Sequence, residues 1–130
     1  MLELLRHDDP LIRADACRFA QASPVVVAQL RDLLDDFQRP VRMAAACALG
    51  LMGRNEVRPL LARYLREEPS AQLIDAVAPV ADEECIILLG RIVRTMPDLS
   101  AAALDALDSI DHPRASRIAA EIGLVPSSNG

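Results

Sequence analysis

The chain has 130 residues, a formal charge of −5 and an isoelectric point near 4.9, a balance that disfavours nucleic acid or an anionic membrane surface as its main partner. Apolar residues make up 52% and charged residues 25%, which excludes a disordered chain, and a chain of this length buries about two-thirds of its unfolded surface as one domain. Aromatics are only 2% and Trp is absent, so the bulk comes from Ala, Leu, Val and Ile, which favours closely packed helices over an all-β domain.

In chain order, Pro10, Pro24, Pro40, Pro59, Pro69, Pro97 and Pro113 mostly stand where an apolar helical pattern is about to begin. Proline is tolerated in the first helical turn, where its missing N–H would be unpaired anyway, so these prolines read as start signals. Nine helices are predicted, at residues 2–7, 10–22, 24–36, 39–52, 55–67, 69–80, 82–95, 97–110 and 113–122, joined by short polar links. Residues 1–122 form one repeat domain on this reading, and 123–130 a flexible tail. In the fourth helix Val41, Ala44, Ala45, Ala48, Leu49 and Met52 share one face; in the eighth, Leu99, Ala103, Ala106, Leu107 and Ile110 do. The seventh is apolar most of the way round and should lie between neighbours, with Asp82 as its cap and Glu83 and Glu84 in its positive first turn.

Chemistry-bearing residues are scattered. His7 and His112 lie near opposite ends of the chain, and Cys17, Cys47 and Cys85 have no histidine within helical reach, so loop histidines and inert, buried thiols are expected. No CxxC pair or signal peptide accompanies the cysteines, and no apolar run reaches the ~20 residues that span a bilayer, which places the protein in a reducing cytoplasm. The Gly50-Leu51-Met52-Gly53 run has the spacing of a phosphate clamp but follows a helix and reads as its terminator. Paired acids such as Asp35-Asp36 diverge round a helix and do not converge on a substrate. No catalytic residue, metal site or cofactor is expected. Every basic residue is Arg: residues 1–66 carry ten against eight acids, and residues 67–130 carry four against eleven. The mild excess in the first half falls far short of a phosphate-binding footprint.

Internal repetition is the most informative feature. The run from Asp9 to Cys17 aligns with the run from Gln38 to Ala46, 29 residues on, each with an Ile/Val-Arg pair ahead of a small-residue helix. The apolar helices near Leu73 and Leu99 continue the series, at about one helical hairpin per repeat. Such a unit cannot bury its apolar face alone, so hairpins stack into a solenoid.

The second unit, Leu33-Leu34-Asp35-Asp36, Pro40-Val41-Arg42, then Ala44-Ala45-Ala46-Cys47-Ala48-Leu49-Gly50 and Gly53, resembles a HEAT repeat, of the short phycobilisome-lyase type. The match is strong there, fair in the first unit and weak in the third and fourth, where Gln72 and Ser100 stand near the arginine's place. The resemblance implies an all-α, right-handed solenoid of about four hairpins plus a capping helix. It also implies a bond between Asp36 and Arg42 across the inter-helix turn, and a non-catalytic scaffold for a protein partner. An acidic inhibitor or immunity-type protein that blocks a basic enzyme, or a lyase-like or chaperone-like enzyme subunit, are the alternatives.

With Ile12, Val41, Leu73 and Leu99 as equivalent starts, the positions two, six and nine residues on should face the inner surface. They are Ala14, Arg18 and Gln21; Met43, Cys47 and Gly50; Asp75, Pro79 and Asp82; Ala101, Asp105 and Asp108. A partner segment is expected over Arg18, Met43, Cys47, Asp75, Asp105 and Asp108, on a face that runs from basic through apolar to acidic. At the ends, the last helix suits a polar cap, whereas the first, Leu2 to Arg6, is short and apolar, so self-association or fusion to another domain is expected at the amino end.

Overall fold

Side chains that replace missing backbone partners set the helix starts. In the computed structural model, which describes residues 1–124, the Asp9 carboxylate accepts from the Leu11 N–H to open α2 (Pro10–Phe19). Ser23 opens α3 (Pro24–Leu33), Ser70 opens α6 (Ala71–Val77) and Asp82 opens α7 (Glu83–Thr95) in the same way. The remaining helices are α1 (Leu2–Leu5), α4 (Arg39–Leu51), α5 (Arg58–Glu67), α8 (Pro97–Ser109) and α9 (Pro113–Leu124). Prolines occupy the first turns of α2, α3, α4, α5, α8 and α9 as predicted.

The first three helices end two to three residues before the sequence reading, at Leu5, Phe19 and Leu33, and three further boundaries differ for a local reason. Pro69 lies outside α6, because Ser70 is the extended cap residue. Pro79 has no N–H to continue α6, which ends at Val77 and tightens into a 3-10 turn at Ala78–Val80. Another 3-10 turn, Asn55–Val57, precedes α5 where helix was expected. The expected tail at 123–130 is overtaken by α9 as far as Leu124, and residues 125–130 lie outside the described residues.

The helices form two rows. α2, α4, α6 and α8 pack on one another in sequence; α1, α3, α5, α7 and α9 form the other row, in which α3 and α5 scarcely touch. The even-numbered helices pack more closely on one another than the odd-numbered ones do. One core of Leu, Ile, Val and Ala runs between the rows, with Leu49, Leu61, Leu73, Ile86 and Leu89 among its fully buried members. The predicted rows of α4 and α8 are buried, with Met52 and Leu99 half-buried at their ends.

The two glycines of the Gly50–Gly53 run do different jobs. Gly53 ends α4 with φ +76°, and the next N–H, of Arg54, returns 2.9 Å to the Leu49 carbonyl, so termination holds there. Gly50 still belongs to the helix and permits close approach: a Cβ on it would stand 2.4 Å from the Ala76 carbonyl oxygen.

Arginines bridge each junction of the stack. Arg13 holds both Asp36 carboxylate oxygens at 3.0 and 3.1 Å, Arg31 holds both of Glu56 at 2.9 and 2.8 Å, Arg39 reaches Glu68, and Arg66 reaches Glu84. Each arginine belongs to the earlier hairpin and each acid to the next; at the last junction both senses occur, with Arg94 of α7 on Glu121 of α9 and Arg114 of α9 on Glu83. Two of these pairs, Arg39–Glu68 and Arg66–Glu84, cross the midpoint of the chain, which matches the small excess of arginine in the first half and supplies only part of the acidic excess in the second. Two-pronged pairing, which the Lys ammonium cannot make, gives the arginines at Arg13 and Arg31 a structural reason.

The expected pairing of Asp36 with Arg42 is corrected by this arrangement. Arg42 donates to the backbone carbonyl of Asp36 at 2.7 Å, just as Arg13 donates to the His7 carbonyl six residues before it. The Asp36 carboxylate is thereby free for Arg13 of the preceding hairpin and for the Gln38 N–H. Burial alone would raise the Asp36 pKa, but the hydrogen bonds from Arg13 and Gln38 and the charges of Arg13 and Arg42 hold it below the usual carboxylate value. Asp36→Ala should cost about 2 kcal/mol, since it leaves the largely buried Arg13 guanidinium without its carboxylate and with only the His7 and Asp8 carbonyls as acceptors, whereas Glu56→Ala, at an exposed pair, should change stability little. Because the folded pKa is depressed, the contribution is present above the unfolded carboxylate's value of about 3.9 and is lost as the pH falls through the lower folded value. Urea unfolding at pH 7 and pH 3 should show the parent and Asp36→Ala converging in acid.

Candidate partner-binding face

The exposed side of the even row carries most of the residues expected to display a binding surface. Arg18 of α2 and Met43 of α4 line one groove with Arg39, Pro40, Glu68 and Gln72. Further along, Asp75 of α6 and Asp105 of α8 line a second groove with Ala78, Pro79, Ala106 and Ser109, and Asp108 lies one turn beyond Asp105. The structure thus brings Arg18 together with Met43, and Asp75 with Asp105. The two grooves carry opposite dominant charge along one row.

Several expected members are absent from that surface. Cys47 is only 4% exposed, and Ala14 and Gly50 are buried, because neighbouring even-row helices approach closely through these small residues. Gln21 lies past the end of α2, and the Asp82 carboxylate is engaged by the Cys85 N–H as the cap of α7. Met43 is therefore the apolar centre of the first groove without Cys47 beside it.

Arg39 is the member that pattern reasoning passed over. Its guanidinium sits 5.3 Å from the centroid of the Tyr64 ring and within 3.6 Å of Glu67 and 3.3 Å of Glu68, so it is held by α5 while it lines the groove. Its partners lie 25 to 29 residues on in sequence, beyond the reach of a helical-face argument.

Basic charge is also confined to one row in the second half. Arg91, Arg94, Arg114 and Arg117 all stand on α7 and α9 and line grooves of the odd-numbered row. Asp75, Asp105 and Asp108 stand on α6 and α8. The acidic groove is thus more one-sided than the net count of that half conveys.

The remaining candidates have structural partners. His7 Nδ1 accepts from the Asp9 N–H and His112 Nδ1 from the Arg114 N–H, each at 3.0 Å, so both imidazoles steady the turn before a helix. Cys17, Cys47 and Cys85 are free and buried, and burial pushes each thiol up to about 11, away from nucleophilic ionisation. Among the described residues no group of His, Cys, Asp and Glu is placed to hold a metal ion, and no helix is long and apolar enough to cross a membrane.

Two rows of antiparallel helices with one core between them define an α-solenoid. Residues 1–80 match the HEAT-repeat family, and the chain belongs to that family. The matched region ends with the 3-10 turn after α6, while α7 and α8 extend the same two-row stacking beyond it. No curated protein and no solved structure matched the chain. HEAT repeats generally mediate protein–protein interaction, and the family is typically a non-catalytic scaffold.

Proposed function

We propose that this protein is a non-catalytic scaffold that binds an extended segment of a partner protein along the even-numbered row. The observation that carries this reading is the placement of two open grooves on that row, one lined by Arg18, Arg39 and Met43 and the other by Asp75 and Asp105. A segment lying along them would present an acidic end to Arg18 and Arg39, an apolar anchor to Met43 and a basic end to Asp75, Asp105 and Asp108. Opposite charge at the two ends fixes one direction of binding, and a buried anchor supplies most of the affinity.

The test places a photo-crosslinking residue at Met43, Asp105 or, as a control on the odd row, Ile87. In extract of the source cells, Met43 and Asp105 should trap the same protein and Ile87 should not. With that protein purified, Met43→Glu and Asp105→Arg should each weaken binding about tenfold or more. Unchanged affinity in both variants, with helical content intact, would exclude this face.

A further inference from the structure

The stack ends differently at its two extremities. At the carboxyl end, α9 shows Ser116, Arg117, Ala120 and Glu121 to solvent, as a polar cap should. At the amino end, Leu11 is 71% and Phe19 75% exposed on α2, with Leu4 47% exposed on α1. Phe19 is the counterpart of Ala48 of α4, which is 5% exposed because α2 precedes α4 in the stack. Nothing among the described residues covers the corresponding side of α2.

We infer that this amino-terminal edge, built on Leu4, Leu11, Asp15 and Phe19, is a two-fold interface at which two copies of the chain pair end to end. Two observations favour a second copy over a further hairpin of the same kind, and a third favours pairing at this end of the chain. Junctions inside the even row are made by small residues, Ala44, Ala45, Ala46, Ala48 and Gly50, whereas a preceding hairpin would have to seat against Phe19. Asp15 and Arg18 lie 3.5 Å apart, both exposed, on α2. Arg18 borders both this edge and the groove, and a two-fold axis on the Asp15 side sets the acid of each copy against the base of the other at the margin of the interface, so the edge complements itself. Finally, pairing at the amino ends brings together the half with ten arginines and eight acids, whereas pairing at the carboxyl ends would oppose two halves with eleven acids and four arginines each.

Sedimentation velocity across a concentration series should show a monomer–dimer equilibrium in the parent. Phe19→Asp, at an exposed position, should weaken association at least tenfold with unchanged helical content. Ile87→Asp, 47% exposed on α7, should leave it intact. The buried native thiols permit a second reading: a short bis-maleimide should link Asp15→Cys into a covalent dimer and leave Ile87→Cys monomeric. A parent that stays monomeric at millimolar concentration, association that survives Phe19→Asp, or cross-linking at Ile87→Cys but not at Asp15→Cys would each overturn the proposal. None of these readouts depends on the partner proposed above.

Discussion

Gly50→Val is expected to destabilise the protein by at least about 4 kcal/mol, read as the loss of free energy in urea unfolding followed by far-UV circular dichroism. Even the first carbon of a side chain would stand 2.4 Å from the Ala76 carbonyl oxygen and 2.7 Å from the Leu61 Cδ1 atom. The first contact is backbone in α6, and Leu61 is fully buried in the core, so neither can step aside cheaply. α6 would have to withdraw from α4, which opens the central junction of the even row. The other glycines calibrate the effect. A Cβ at Gly90 meets the Ile118 side chain at 3.1 Å and the end of Arg94 at 3.9 Å, both side chains and not backbone, and one at Gly53 meets nothing, so its cost is the left-handed backbone alone. Gly90→Ala and Gly53→Ala should each cost about 1 to 2 kcal/mol. A Gly50→Val protein within 1 kcal/mol of the parent would mean that α4 and α6 do not approach as closely as described.

That contrast shows where the sequence was readable. Prolines, capping residues and small-residue faces are local signals, and they placed the helices and the rows buried in α4 and α8. The same signals could not separate Gly50 from Gly53, because one answers to its own φ and the other to a helix some 26 residues away. Asp36 is a similar case. The family resemblance paired it with Arg42, and the two are bonded, but through the Asp36 carbonyl, while its carboxylate serves Arg13 from the previous hairpin. For the proposed binding face, counting positions from equivalent starts picked Arg18, Met43, Asp75, Asp105 and Asp108, which line or adjoin the two grooves of the even row. It failed at Cys47 and Asp82, because a count of positions carries no information about how closely the next helix packs or which carboxylate a neighbouring helix start requires.

Leu49→Ala should cost about 4 kcal/mol, toward the upper part of the range for buried leucines, and Leu107→Ala about 3 kcal/mol. Both side chains are at most 1% exposed, so the difference lies in how far each site can collapse. α4 packs against α2, α3, α5 and α6, and the residues that flank Leu49 on its own helix, Ala45, Ala46 and Ala48, are too short to swing into a vacated space. The cavity therefore persists, and each lost contact counts in full. Leu107 lies in α8, next to the terminal α9, where a small shift of the last helix can close part of the gap. Because α4 joins the first hairpin to the rest of the stack, Leu49→Ala should weaken the whole unfolding transition and leave no separately stable segment. Leu51→Ala is the control: it removes the same atoms two residues away, from a side chain 58% exposed on the opposite side of α4, and should change stability by less than about 0.5 kcal/mol. Urea midpoints for the three variants should fall in the order Leu49→Ala, Leu107→Ala, Leu51→Ala from lowest to highest. A loss at Leu51→Ala equal to that at Leu49→Ala would mean that α4 is rotated from the orientation that puts Leu49 in the core and Met43 in the groove.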